Sequence, residues 1–232
     1  MIATVTVERS GRAKPPLRSR QQRRTGATRL KLVEAARAVF AERGLDLTTI
    51  DDITERADVG KGTFYYHFKS KEGLIREMMK GVLEELVAAM HKRCEGIDDL
   101  PTLLDSLIGA HIEFFAARWE DFVLCFQGRA DLQLQEGYRG LETPFIDYLK
   151  AIEELVDGSI KRHLSDRDLR RIACAVAGFV SGYYSFAVIS TQGEDVDDVL
   201  RSLRGALVAG LTRFIKEAVS AEDKDGSARI VW

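Results

Sequence analysis

The chain has 232 residues, of which 45% are hydrophobic and 30% charged, with a formal net charge of −2. This is the composition of a soluble globular protein, and with only four prolines long stretches are free to be helical. Cys94, Cys125 and Cys174 are widely spaced with no CxxC pair, which fits a reducing cytoplasm better than a stapled, secreted domain, and the opening MIATVTVERSGR has no apolar run, so no signal peptide is expected.

The near-neutral total hides an asymmetry. Residues 1–72 hold fifteen basic and nine acidic side chains, a net charge of +6, and the remainder carries −8. A basic head on an acidic body suggests that the head meets a polyanion and the body does not.

Residues 1–24 are polar and basic, with Gly11 and Pro15-Pro16, and are expected to form a disordered arm. From Thr28 the pattern turns helical: Leu32, Ala36, Val39 and Phe40 share a face, and Gly44 ends the run as a C-cap. Thr49 and Asp52 form a capping box that opens a short helix to about Ala57. Asp58-Val59-Gly60 is a turn, and a second short helix runs to about His67. Ser70 caps a long helix with Leu74, Met78, Val82, Leu86 and Met90 at steps of four. Further helices are expected at about 100–117, 119–130, 141–163, 167–191 and 195–219, with a frayed tail beyond 222. No alternating β pattern occurs. The fold class is therefore all-α: an N-terminal three-helix head over 25–72 and a larger helical bundle over 73–221.

Two segments admit other readings. Residues 172–193 form an uncharged run of 22, long enough to cross a bilayer. It is diluted by Gly178, Ser181, Gly182, Ser185, Ser190, Thr191 and Gln192, so a buried bundle helix is expected and no membrane partner. His91 and Cys94 are three apart on a helix, but two ligands do not complete a metal site. No metal, no cofactor and no catalytic residues are expected, for the chain lacks GxSxG, a phosphate loop and HExxH.

Residues 49–67, TIDDITERADVGKGTFYYH, read as a helix-turn-helix. Ile53, Ala57, Val59 and Phe64 make a small core over Phe40 that fixes the angle between the helices. The second helix then suits a major groove. Lys61 is cationic, Gly62 permits close backbone approach, and Thr63 offers a hydroxyl and a methyl. Tyr65, Tyr66 and His67 add polar tips. Lys71 opens the next helix, and the helix start at Thr49 suits a phosphate.

The run TTIDDITERADVGKGTFYYHFKSKEGL, Thr48 to Leu74, resembles the DNA-binding head of the TetR (tetracycline-repressor) family, and the likeness extends back through AARAVFAERG, Ala35 to Gly44. The chain departs from the family at Asp58, where glycine is usual, at Gly60, where serine or threonine is, and at Thr54, often alanine. The resemblance implies that Lys61, Gly62 and Thr63 face bases and that Thr49, Tyr65, His67 and Lys71 meet phosphates of double-stranded operator DNA. Tyr66 and Phe68 are expected in the core.

In the body, Gly178, Ser181 and Gly182 lie on one helix, and Ala206 and Gly210 on the next, spaced for close helix approach. The resemblance implies a homodimer joined through these last two helices; close packing within one subunit is the alternative. It also implies a cavity for a hydrophobic or amphipathic small-molecule effector among the middle helices, and His111, Phe115, Trp119, Phe122, Tyr148 and Tyr184 are the candidates to line it. The implied function is a ligand-responsive transcriptional regulator, a repressor released from a palindromic operator by its effector.

Overall fold

The structure, a computed structural model, describes the backbone of residues 20–127, 142–160, 164–191 and 196–224, and the side chains of 24–126, 142–160, 164–182 and 203–220. The described elements are helical. They are α1 (Arg20–Arg43), α2 (Ile50–Arg56), α3 (Lys61–Phe68), α4 (Lys71–Cys94), α5 (Leu100–Ala116), α6 (Trp119–Phe122), α7 (Glu142–Gly158), α8 (Asp166–Thr191) and α9 (Val196–Lys224).

The helix ends follow local chemistry. Gly44 takes φ +79°, and its N–H returns to the Phe40 carbonyl at 2.8 Å, as a glycine after a helix does. At the start of α2 the Asp52 N–H donates to Thr49 Oγ1 (3.2 Å), while the Thr49 N–H and hydroxyl donate to Asp52 Oδ2 (2.8 and 2.6 Å). Ser70 caps α4 by accepting from the Gly73 N–H, and Asp99 caps α5 by accepting from the Thr102 N–H, each at 3.0 Å.

Four boundaries differ from those expected, one of them at α7, which ends at Gly158 and not near 163. α1 begins at Arg20, within the expected disordered arm, because Arg20–Arg24 are good helix formers and no proline follows Pro16 before the helix. A regular helix was expected over 119–130. Instead α6 passes after one turn into a π-helical turn, Val123–Gln127. α9 continues to Lys224, past the expected end near 219. Residues 1–19, 128–141 and 225–232 lie outside the described residues.

α1, α2 and α3 pack on one another and α3 leads into α4; α4 packs on α5 and α7, and α8 and α9 close against α7 and α5. The buried side chains form one continuous cluster, from Leu32, Phe40, Ile53 and Phe64 in the head through Leu74, Met78 and Leu86 of α4 to Ile172 and Ile215. The expected head–body boundary at residue 72 therefore falls in the first turn of α4, a single 24-residue helix that shares its core with both parts. Among the described residues no helix is long and apolar enough to cross a membrane; the uncharged run from 172 lies mostly in α8.

Candidate nucleic-acid interface

The angle between α2 and α3 is set by a buried apolar core. Phe40, Ile53, Ala57, Phe64 and Phe68 are all buried, with Val59 half-buried against them. The turn between them needs a left-handed residue, and Asp58 supplies it at φ 52°. That geometry explains why glycine is usual at this position in the resembling head, and why a short polar side chain replaces it at low cost. Gly60 begins α3 with no side-chain cap bond. Thr54 is buried, with its hydroxyl on the Asp51 carbonyl at 3.2 Å.

With Phe64 and Phe68 turned inward, α3 presents Lys61, Gly62, Tyr65 and Tyr66 to solvent, while Thr63 and His67 are half-buried. Tyr66, expected in the core beside Phe68, is instead 75% exposed. The helical step of four from Gly62 puts it on the outer face, a signal overridden in the sequence by its aromatic character. Nothing stands within 4 Å of a Cβ placed on Gly62, so this face is open to close approach.

The polar groups of this face are already organised. Lys61 Nζ lies 2.6 Å from Asp51 Oδ1 of α2, and that bond raises the lysine above its usual pKa. Burial, then the nearby Arg29, lowers the His67 pKa from its ordinary value. Thr49 is exposed, but both its hydroxyl and its N–H are committed to Asp52. Lys71 Nζ donates to the carbonyls of Leu45 and Thr48 at 2.9 and 3.0 Å. It ties the α1–α2 connection to the first turn of α4, a role invisible to local spacing because its partners are backbone atoms 26 and 23 residues away. Next to it, a Cβ on Gly73 would come within 2.4 Å of the Phe68 carbonyl, so glycine lets the end of α3 lie against α4.

The body candidates divide. Phe115, Phe122 and Tyr148 are buried, His111 is 0% exposed, and Trp119 is 37% exposed, stacked on Phe122 at 5.3 Å. Phe115, Phe122 and Phe126 pack with centroids 5.1–5.5 Å apart. His111 Nδ1 donates to the Leu107 carbonyl at 2.7 Å, which leaves Nε2 to accept the Tyr148 hydroxyl, also at 2.7 Å. Burial lowers the His111 pKa to about 4. The Tyr184 side chain lies outside the described residues. These groups make a packed cluster. Among the described residues open space lies in a groove of about 860 Å³ between Pro101 of α5 and Gly205–Ser220 of α9, and in one of about 430 Å³ between α8 and α9 lined by Ile172, Ala175, Leu211 and Phe214.

Gly178, Ala206 and Gly210 are exposed and Ser181 and Gly182 half-buried. Among the described residues, a Cβ on Gly178, Gly182 or Gly210 meets nothing within 4 Å. Leu203, Ala206, Gly210 and Phe214 follow one stripe of α9, with Leu203 41% and Phe214 39% exposed. His91 is exposed and Cys94 buried on α4, and among the described residues no three His, Cys, Asp or Glu side chains are grouped to hold a metal.

Residues 32–78 match the family model of bacterial regulatory proteins, tetR family. The uncharacterized HTH-type transcriptional regulator YvdT of Bacillus subtilis is 31% identical over 133 residues, 57% of this chain and 67% of that protein. The HTH-type transcriptional repressor KstR2 of Mycobacterium tuberculosis is 38% identical over 87 residues, 38% of this chain and 42% of the relative, so the chain spans less than half of that protein's length. The transcriptional regulator FadR of Bacillus subtilis, solved in complex with stearoyl-CoA, superposes with a TM-score of 0.62 at 20% identity, covering 78% of this chain and 96% of FadR; this is a likeness of fold.

Proposed function

The chain belongs to the tetR family of bacterial regulatory proteins, and on that premise we propose that it is a homodimeric repressor that binds a palindromic operator through α3 and leaves it when a small amphipathic molecule binds the body. The observation that carries the reading is the outward face of α3. Lys61, Gly62, Tyr65 and Tyr66 stand clear on a helix whose angle to α2 is fixed by a buried core. A net charge of +6 over residues 1–72 suits a polyanion.

In this reading Lys61, Gly62 and Thr63 meet base edges, and Tyr65, His67 and the backbone near Thr49 meet phosphates. Lys71 orients the head through its two carbonyl bonds and keeps a third N–H for a phosphate. The exposed stripe of α9, together with Gly178 and Gly182 of α8, is where two copies meet. An acyl-chain effector is supported by the fold relative solved with stearoyl-CoA. Repression is supported by the relative KstR2.

Selection of bound duplexes from random DNA tests this directly. The expected product is a palindrome with half-sites one helical turn apart, about 34–36 Å, whose affinity falls steeply with salt and is reduced by stearoyl-CoA. Binding without sequence preference, or no binding, overturns the operator reading. Unchanged operator affinity with stearoyl-CoA and with shorter acyl-CoAs overturns the effector class.

A further inference from the structure

One acidic side chain on the DNA-facing side of the head has no part in capping or core. Asp51, in the first turn of α2, is 62% exposed and its Oδ1 lies 2.6 Å from Lys61 Nζ at the start of α3. Asp52 next to it makes the capping box, so the α2 N-terminus does not need Asp51. A carboxylate on a face that meets phosphates is repelled by them.

The pair presents a cation donor and an anion acceptor side by side, and one base-pair edge has the complementary pattern. In the major groove guanine offers O6 and N7 as acceptors, and its partner cytosine offers the N4 amino group as donor. O6 and N4 are hydrogen-bonded to each other and so sit about 2.9 Å apart, close to the 2.6 Å between Nζ and Oδ1. The lysine ammonium has two N–H groups beyond the one on Asp51, enough for O6 and N7. The carboxylate has free lone pairs for N4. A T·A pair repeats the acceptor–donor order but puts a methyl group where guanine has N7.

We propose that Asp51 and Lys61 together read a single G·C pair in each half-site, with Lys61 donating to guanine O6 and N7 and Asp51 accepting from cytosine N4. This rests on α3 being the recognition helix. The ion pair holds both side chains in register before DNA arrives, and the carboxylate rejects pairs that present an acceptor in place of N4.

The test is selection from random duplexes with the full chain as wild type, Asp51→Ala, Asp51→Asn and Lys61→Ala, followed by affinity measurements on the selected site and on random DNA. Wild type should select a half-site with one invariant G·C pair and prefer it roughly tenfold to hundredfold over the other pairs there. Asp51→Ala should lose most of that preference at that position only, and bind random DNA more tightly because a negative charge is gone. Asp51→Asn, which keeps an acceptor oxygen, should retain part of it. Lys61→Ala should relax the same position and weaken binding everywhere. If wild type selects no motif, the operator reading fails and this one with it. If wild type selects a motif, three results overturn this inference alone: Asp51→Ala keeps every preference, Asp51→Ala and Lys61→Ala relax different positions, or Asp51→Ala loses random DNA as well.

Discussion

Arg37 of α1 and Asp121 of α6 face each other across the junction of head and body, with Nε 3.1 Å from Oδ1 and the carboxylate 2% exposed. Neither atom makes an aligned hydrogen bond, so the contact is an ion pair. Burial pushes the Asp121 carboxyl up, and Arg37 and Arg118 pull it back. Removing Arg37 leaves the buried carboxylate with only the more distant Arg118, 4.0 Å away, whereas removing both Arg37 and Asp121 need not be costly. Because Arg37 is 42% exposed, Arg37→Met should cost only about 1–3 kcal/mol of stability, and adding Asp121→Leu should recover part of it. Denaturant unfolding of the two variants checks this; additive losses would show that the pair is not coupled.

Lys71→Met should show two separable losses. The carbonyls of Leu45 and Thr48 lose a charged donor, which lowers stability by about 2 kcal/mol. Operator and random DNA should both bind less tightly, with a salt slope smaller by about 1. An unchanged melting temperature contradicts the anchoring role, and an unchanged slope contradicts the phosphate contact.

Leucine at Gly178 or Gly210 has open space among the described residues of one subunit, so Gly178→Leu and Gly210→Leu should not destabilise the monomer and, by helix propensity, should stabilise it by up to about 1 kcal/mol. Between two packed copies the same side chains push backbones apart, at roughly 1–3 kcal/mol per overpacked site. Sedimentation should show more monomer at equal concentration. Full dimer in both variants would move the interface away from this face.

His111 makes the body acid-sensitive. Its folded pKa of about 4 lies below the usual 6.5, so the unfolded chain binds its proton first. The stabilisation is complete above about pH 6.5 and is lost as pH falls from there to about 4, amounting to about 3 kcal/mol. Thermal unfolding across that window should be flatter for His111→Leu than for wild type, although the variant starts less stable because Tyr148 loses its acceptor. Parallel pH profiles would mean that His111 does not carry the effect.

The sequence by itself determined the all-α class, the helix-turn-helix and the inward face of α3, because these follow from short-range rules. Phe64 and Phe68 are four apart, Thr49 and Asp52 sit at capping spacing, and Gly44 marks a helix end. It also isolated Lys61 and Gly62 on the outer face. Where aromatic character and position disagreed, as at Tyr66, only the fold decided, since burial depends on what packs above a residue. The tertiary structure alone placed Lys71 on two distant carbonyls, joined His111 to Tyr148 across 37 residues, paired Arg37 with Asp121, and set Asp51 beside Lys61. Each of these contacts joins separate elements of the chain, and their geometry arises from helix packing that no local spacing encodes.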